Sequence, residues 1–329
     1  MVQLGVLTLA LGLTLVPSVA SAREVVVAIV DTGMDTGHPA LSAHLWQNQL
    51  ERDGQPGVDE DGNGYIDDIY GFNFVDRIGD AGHMTINDHG THVAGLVLSG
   101  FGSSSLDIRL MVVNVFGSST FASPVEALDE GIRYAARMGA EVINISATAR
   151  GESASTALAL GEAERLGSIV VAAAGNEGFN LDRVSAFPAA YSDRFESLIT
   201  VAAIDVQSGA LCGTSSFGSR SVWLAAPGCD GGAPRHGILS TRSGGLYGYK
   251  SGTSMAAPFV SGGLASWLAS SRASLMANSE ATVGGRAREW IARNVRKNPQ
   301  LLGRVAVEGA MGSWTESIQS IQNGTAQTQ

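Results

Sequence analysis

The 329-residue sequence has only two cysteines, Cys212 and Cys229, so at most one disulfide can form and the fold must rest on a buried core instead. Two readings stand for the pair: a single bridge made in an oxidising compartment, or two buried thiols. Beyond residue 22 no apolar run approaches the roughly 20 residues that cross a bilayer, so no membrane-spanning body follows that point. Basic residues are in deficit: 21 Lys and Arg against 31 Asp and Glu give a formal charge of −10. A nucleic-acid partner would need a basic face, and none is visible. Internal repeats are absent as well.

What is present is apolar and glycine-rich. With 44% hydrophobic residues, 16% charged residues and 42 glycines, the chain suits one large, well-buried domain, taken here as residues 23–312. The negative charge is local, with ten Asp or Glu against two Arg between residues 51 and 88, which points to a bound cation. Residues 1–22 read as a signal peptide. Leu4 to Val16 is apolar, Pro17 follows, and Ala20-Ser21-Ala22 has the small residues of a signal-peptidase site. Met1-Val2-Gln3 brings no Lys or Arg, so a retained membrane anchor and a misplaced start stand as the alternatives to a secreted or periplasmic chain. Residues 313–329 are polar and rich in Gln, Ser and Thr, as expected of a frayed tail.

Short β-branched or apolar runs predict strands at Glu24 to Val30, Ile108 to Val115, Val142 to Ile145, Ile169 to Ala173, Leu198 to Ala202 and Val222 to Leu224. Helical patterns fall between and after them at Thr91 to Leu98, Ser123 to Met138, Ser153 to Leu166 and Met255 to Leu268. Pro124 and Pro258 lie in the first turns of their helices, where a missing N–H costs little. This alternation predicts an α/β fold, a doubly wound and mostly parallel sheet with helices on both faces. Ligands in such sheets gather beyond the carboxyl ends of the strands. Asp31 stands at the first of these ends.

Three blocks carry chemistry. Ala28-Ile29-Val30-Asp31-Thr32-Gly33 ends an apolar run in a carboxylate, and Asp88-His89-Gly90-Thr91-His92-Val93-Ala94-Gly95 offers an imidazole. Ser251-Gly252-Thr253-Ser254-Met255-Ala256-Ala257-Pro258 puts a serine where a helix begins. A serine hydroxyl attacks only when a base takes its proton, and the chain order Asp, His, Ser is one of the known orders for such a triad. Taken singly, each residue has a structural reading as a turn residue, cap or core histidine. Taken in this order, with Val142-Ile143-Asn144-Ile145-Ser146, Val170 to Gly178, Phe187-Pro188-Ala189 and Leu224 to Gly228 between them, they resemble the subtilisin-like serine proteases, or subtilases. The resemblance covers most of residues 24–312.

That resemblance implies a three-layer subtilisin-like sandwich and hydrolysis of peptide bonds through an acyl-enzyme. Asp31, His89 and Ser254 would be catalytic, and Asn176 would donate to the oxyanion beside the N–H groups at the start of the Ser254 helix. The polypeptide substrate would lie as an added strand along Ser146, Ala147 and Thr148, with Ala173, Ala174 and Gly175 as the pocket wall, Glu177 biasing its charge, and Ser119 to Ala122 as part of a second rail. His92 would pack under its helix, against a competing reading as half of an H-x-x-H metal pair. The family commonly continues the first rail as Ser, Leu, Gly, Gly. Here Ser146, Ala147, Thr148 and Ala149 narrow the space and favour small residues before the scissile bond.

Other departures are a propeptide expected between signal and domain but not found before Glu24, and Asn114 where relatives commonly carry lysine. They leave a second function class open, a catalytically weak subtilase-like module that binds peptides, and they allow a separate propeptide or inhibitor chain as partner. A monomer is otherwise expected. A third class, the α/β-hydrolases, lacks its Gly-x-Ser-x-Gly elbow here. Finally, Asp59 to Tyr70 begins like a calcium loop, with oxygen ligands at Asp59, Asp61 and Asn63, a glycine at Gly62 and the Tyr65 carbonyl next. Position 12 is Tyr70 instead of Glu, so Asp68 would complete a structural calcium site, against a hydrated acidic turn as the alternative. The chemistry itself needs no cofactor.

Overall fold

A computed structural model describes residues 24–79, 81–82, 88–102, 108–116, 125–231, 237–277, 281–301, 303, 305 and 309–311. The proposed signal segment, the rail at Ser119 to Ala122, Pro124 and the polar tail lie outside the described residues.

The strands are β1 (Val25–Asp31), β2 (Gly71–Asn73), β3 (Ile108–Asn114), β4 (Val142–Ile145), β5 (Ile169–Ala173), β6 (Leu198–Asp205), β7 (Leu224–Cys229), β8 (Ile238–Arg242), β9 (Leu246–Lys250), β10 (Val295–Lys297) and β11 (Gly309–Met311). The α-helices are α1 (Gln49–Asp53), α2 (His89–Phe101), α3 (Val125–Arg137), α4 (Ala154–Arg165), α5 (Thr253–Ala277) and α6 (Val283–Asn294). Nine strands form one sheet in the order β10-β11-β7-β6-β5-β4-β1-β3-β2, parallel except for the β10–β11 pair, while β8 and β9 form a separate antiparallel hairpin.

The central strands are apolar on both faces because both faces are covered. Val25, Val27 and Ile29 point to a core shared with α2, α5 and α6, and Ala28 and Val30 point to a core shared with α3 and α4. Each fully buried Val or Ile contributes about 1.5–3 kcal/mol relative to exposure, so strands covered on both faces are apolar on both. The expected doubly wound, three-layer α/β sandwich is therefore the fold found.

Three features of this frame position the site. The strand order reverses at β1, which has β3 on one side and β4 on the other, so the crevice of the sheet opens beyond Asp31 and Ser146. Helices α2 and α5 cross at backbone contact: a Cβ on Gly262 would stand 2.1 Å from the Val97 carbonyl, and one on Gly100 would stand 2.4 Å from the Phe259 carbonyl. A Cys212–Cys229 disulfide ties the end of β7 to the segment after β6, which settles the cysteine pair in favour of the bridge.

Candidate active site

Asp31 closes β1 and is wholly buried. One carboxylate oxygen accepts the Thr32 N–H at 2.8 Å, and its two oxygens face His89 Nδ1 at 2.8 and 3.0 Å. A carboxylate only accepts, so Nδ1 carries the proton and Nε2 is the basic nitrogen. Gly90 makes this approach possible. Its N–H donates to Thr32 Oγ1 at 3.0 Å, and a Cβ there would stand 2.1 Å from the Gly33 carbonyl.

Ser254 is the second residue of α5, so its N–H has no carbonyl in a preceding turn. Its hydroxyl donates to the Ser146 carbonyl at 3.0 Å, and the Ser146 hydroxyl donates to the Ser254 carbonyl at 3.0 Å. The second bond has a cause in the sequence. Pro258, four residues on, has no N–H to give the Ser254 carbonyl, so a side chain takes the vacancy. Pro258 thus lies one turn deeper than expected, and the lost donor is replaced instead of being harmless. Asn144 donates to Ser146 Oγ at 3.0 Å and accepts from Ser261 Oγ at 2.8 Å, which fixes the Ser146 side chain from behind.

Asn176 follows Gly175 at the end of the β5 segment. Its Oδ1 accepts the Thr253 N–H at 2.9 Å and the Thr253 hydroxyl at 3.2 Å, leaving Nδ2 as the group to donate elsewhere. The Thr253 oxygen also accepts the Gly175 N–H at 3.1 Å. Gly252 has φ +135°, and a Cβ on it would stand 2.9 Å from Asn176 Oδ1, so this glycine admits the amide. His89, Asn176 and Ser254 line one cavity of about 450 Å³.

The sequence profile of the subtilase family matches residues 22–310. The chain belongs to the subtilase family. Among its relatives, the thermophilic serine proteinase of Bacillus sp. strain AK1 is 36% identical over 260 residues, which are 76% of this chain and 53% of that protein. The major intracellular serine protease of Bacillus subtilis strain 168 is 32% identical over 252 residues, 74% of this chain and 68% of that one. The chain thus spans about half of the first relative's length and two thirds of the second's. A cold-adapted subtilisin-like serine proteinase shares the fold with a TM-score of 0.65 at 24% identity, covering 89% of each chain. The epidermin leader peptide processing protease EpiP of Staphylococcus aureus does so at 0.64 and 24%, covering 91% of this chain and 76% of its own.

In this subtilase the cavity wall holds Ser146, Ala147, Thr148, Ala173 and Gly175. Ala174 departs from expectation: its methyl group is wholly buried against Leu181, Ala186, Ala202 and Ile204. Ala173 and Gly175 line the cavity, whereas the Ala174 side chain lies in a separate buried apolar cluster. Thr148 Cγ2 lies 3.6 Å from where a Cβ on Gly175 would stand, and Glu177 Oε2 lies 2.7 Å from that point. Phe116, Met255 and Lys250 also line the cavity and were not singled out from sequence.

His92 is no base and no metal ligand pair with His89. It is wholly buried, its Nε2 donates to the carbonyls of Ile238 and Gly248 at 3.0 and 3.1 Å, and burial pushes its pKa down to about 3. It pins the β8–β9 hairpin to α2. Asp88, just before His89, forms an ion pair with Lys250 Nζ at 3.0 Å and a second with Arg242. Burial alone would raise the Asp88 pKa, but these two cations hold it below the ordinary carboxylate value.

The acidic loop gathers differently from the sequence reading. Carboxylate oxygens of Glu51, Asp61 and Asp68 lie within 4.8 Å of one another, while Asp59 is turned to the N–H groups of Asn63 and Gly64 at 3.1 and 2.9 Å. Asn63 Oδ1 accepts the Tyr65 N–H at 2.7 Å, its Nδ2 donates to Asp61 and Asp68 at 3.0 Å each, and the Tyr65 ring packs against Phe72, Phe74 and Tyr134. Asp68 accepts from Tyr134 Oη and Asn48 Nδ2, both at 2.7 Å, yet burial pushes its pKa up to about 6. Glu51 was missed. It is buried and accepts the N–H groups of Glu60 and Asp67 at 2.7 and 2.8 Å, a role no local motif announces.

Proposed function

We propose that this subtilase chain is an exported serine endopeptidase in which Asp31, His89 and Ser254 form the triad and Asn176 the oxyanion donor. The observation that carries the reading is the Asp31–His89 pair opening on the cavity that Ser254 and Asn176 also line. Attack begins when the Ser254 hydroxyl turns about χ1 from the Ser146 carbonyl to His89 Nε2, a rotamer change of the kind expected between resting and substrate-bound sites. Nε2 takes the hydroxyl proton as Oγ bonds to the scissile carbonyl carbon. The carbonyl oxygen gains negative charge facing Asn176 Nδ2 and the Ser254 N–H. Collapse breaks the C–N bond, and the amine leaves with the proton from Nε2. Water then repeats the sequence and releases the acyl group from Ser254. Asp31 keeps the imidazole in the tautomer that can do this.

Labelling with a fluorophosphonate probe tests the reading. Wild type is expected to label, and Ser254→Ala and His89→Ala are not. A folded wild type that resists the probe would overturn the protease reading and leave the peptide-binding module. Export rests on Leu4 to Val16 with Ala20-Ser21-Ala22, and the Cys212–Cys229 bridge supports an oxidising destination. The acidic loop supports a structural calcium ion held by Glu51, Asp61 and Asp68. Three carboxylates are hard oxygen donors, and the Asn63 amide nitrogen bridging two of them marks a place where positive charge is wanted. Bound there, the ion would neutralise the loop and add nothing to the chemistry.

A further inference from the structure

The cleft carries charge that the triad does not use. Lys250, the last residue of β9, lines the cavity of Ser254 and His89, and its side chain is 24% exposed. Its ammonium sits 3.0 Å from an Asp88 oxygen, and the guanidinium of Arg242 takes the other oxygen. This arrangement is built, because Arg242 reaches Asp88 by lying across β9 at Gly248, where a Cβ would stand 2.4 Å from Arg242 Cδ. Two cations on one carboxylate leave the Asp88 cluster with one positive charge in excess, while the buried Asp31 carboxylate is engaged on the other ring edge by His89 Nδ1. The neighbouring carboxylate, Asp35, is at the other end of the hairpin, where it accepts the Gly37 and Gly244 N–H groups at 3.0 and 2.8 Å.

The side of the cleft follows from the reaction. The acyl part of a substrate belongs with Ser146 to Thr148 and Ala173 to Asn176, which hold the nucleophile and the oxyanion donor. The leaving amine must depart past His89, which gives it a proton. The cavity lining includes Lys250 and Ser251, and Lys250 is tied to the His89 side by its contact with Asp88, the residue before His89. We propose that Lys250, held beside His89 by Asp88 and backed by Arg242, makes this protein prefer polypeptides with Asp or Glu directly after the scissile bond. The proposal rests on the protease reading above. An ammonium has three N–H donors, and Asp88 engages Lys250 through a single oxygen, so a substrate carboxylate can share it.

The test uses quenched peptides with blocked ends, identical except for Asp or Asn, Glu or Gln, or Lys after the scissile bond. Blocking the ends makes the side chain the only new carboxylate. For wild type at low salt, kcat/KM for each acid should exceed that of its amide by about two- to fivefold, the worth of a partly exposed ion pair. The ratio should approach one near 1 M NaCl. Lys250→Met should bring it to one, and Lys250→Glu should invert it in favour of Lys, with fluorophosphonate labelling reporting that each variant still assembles its site. Labelled wild type that cleaves Asn and Asp peptides equally, or a ratio unchanged in Lys250→Met, overturns this proposal and spares the triad. Neither labelling nor cleavage would remove both.

Discussion

At the scale of the residue, Thr253 does more than precede the proposed nucleophile, Ser254. Its N–H and hydroxyl both hold Asn176 Oδ1, and its oxygen also receives the Gly175 N–H, so the amide is aimed by a neighbour of Ser254. Asn176→Ala is expected to lower kcat by about 10²–10³, the usual cost of one oxyanion donor, with KM little changed. Thr253→Val keeps the N–H bond but loses the hydroxyl, so kcat should fall by roughly tenfold. Equal kcat in Thr253→Val and wild type would show that the backbone bond alone orients the amide. Asp31, His89 and Ser254 stood out in the sequence because few residue types can do the chemistry proposed for them and their order is distinctive. Thr253 and Glu51 did not: Thr253 bonds to partners far along the chain, and Glu51 accepts N–H groups from Glu60 and Asp67 at spacings that match no motif. Ala174 was carried over with its whole motif, and its side chain lies in a buried apolar cluster away from the cavity that Ala173 and Gly175 line.

Among elements, the β8–β9 hairpin is the piece that sequence patterning misses. Half of its strand residues are polar or glycine, and β9 is exposed or half-buried throughout, so no apolar period marks it. The Ser240 and Thr241 hydroxyls donate to the His92 and Thr91 carbonyls of α2, and His92 adds a single ring N–H that serves two hairpin carbonyls. The folded pKa of about 3 lies below the ordinary value of 6.5. Between those values the unfolded chain binds a proton that the native chain refuses, so this contribution is full above about pH 6.5 and is lost as pH falls toward 3. From pH 7 to pH 5 wild type should lose about 2 kcal/mol more unfolding free energy than His92→Gln, as read by urea denaturation. Parallel losses in the two proteins would mean that His92 titrates normally. Strands β2, β10 and β11 also escaped notice, being three residues each, too short to show a period.

For the whole molecule, the sheet was readable because its central strands are buried on both faces and so are continuously apolar. The acidic loop is the outlier, a cluster of like charges on an otherwise weakly charged body. If calcium holds Glu51, Asp61 and Asp68 together, the melting temperature should climb with calcium, by the equivalent of about 2.7 kcal/mol at a hundredfold excess over Kd. Glu51→Gln should blunt that response, and identical melting curves in calcium and EGTA would exclude the ion. The glycine crossing of α2 and α5 has a different consequence. His89 and Ser254 ride on two helices whose main chains touch, with no side-chain cushion to yield between them. Descendants of this chain therefore have little room to vary the proposed reacting pair and more room to vary the hairpin beside it, so new appetites would evolve at the rim while what lies beneath stays fixed.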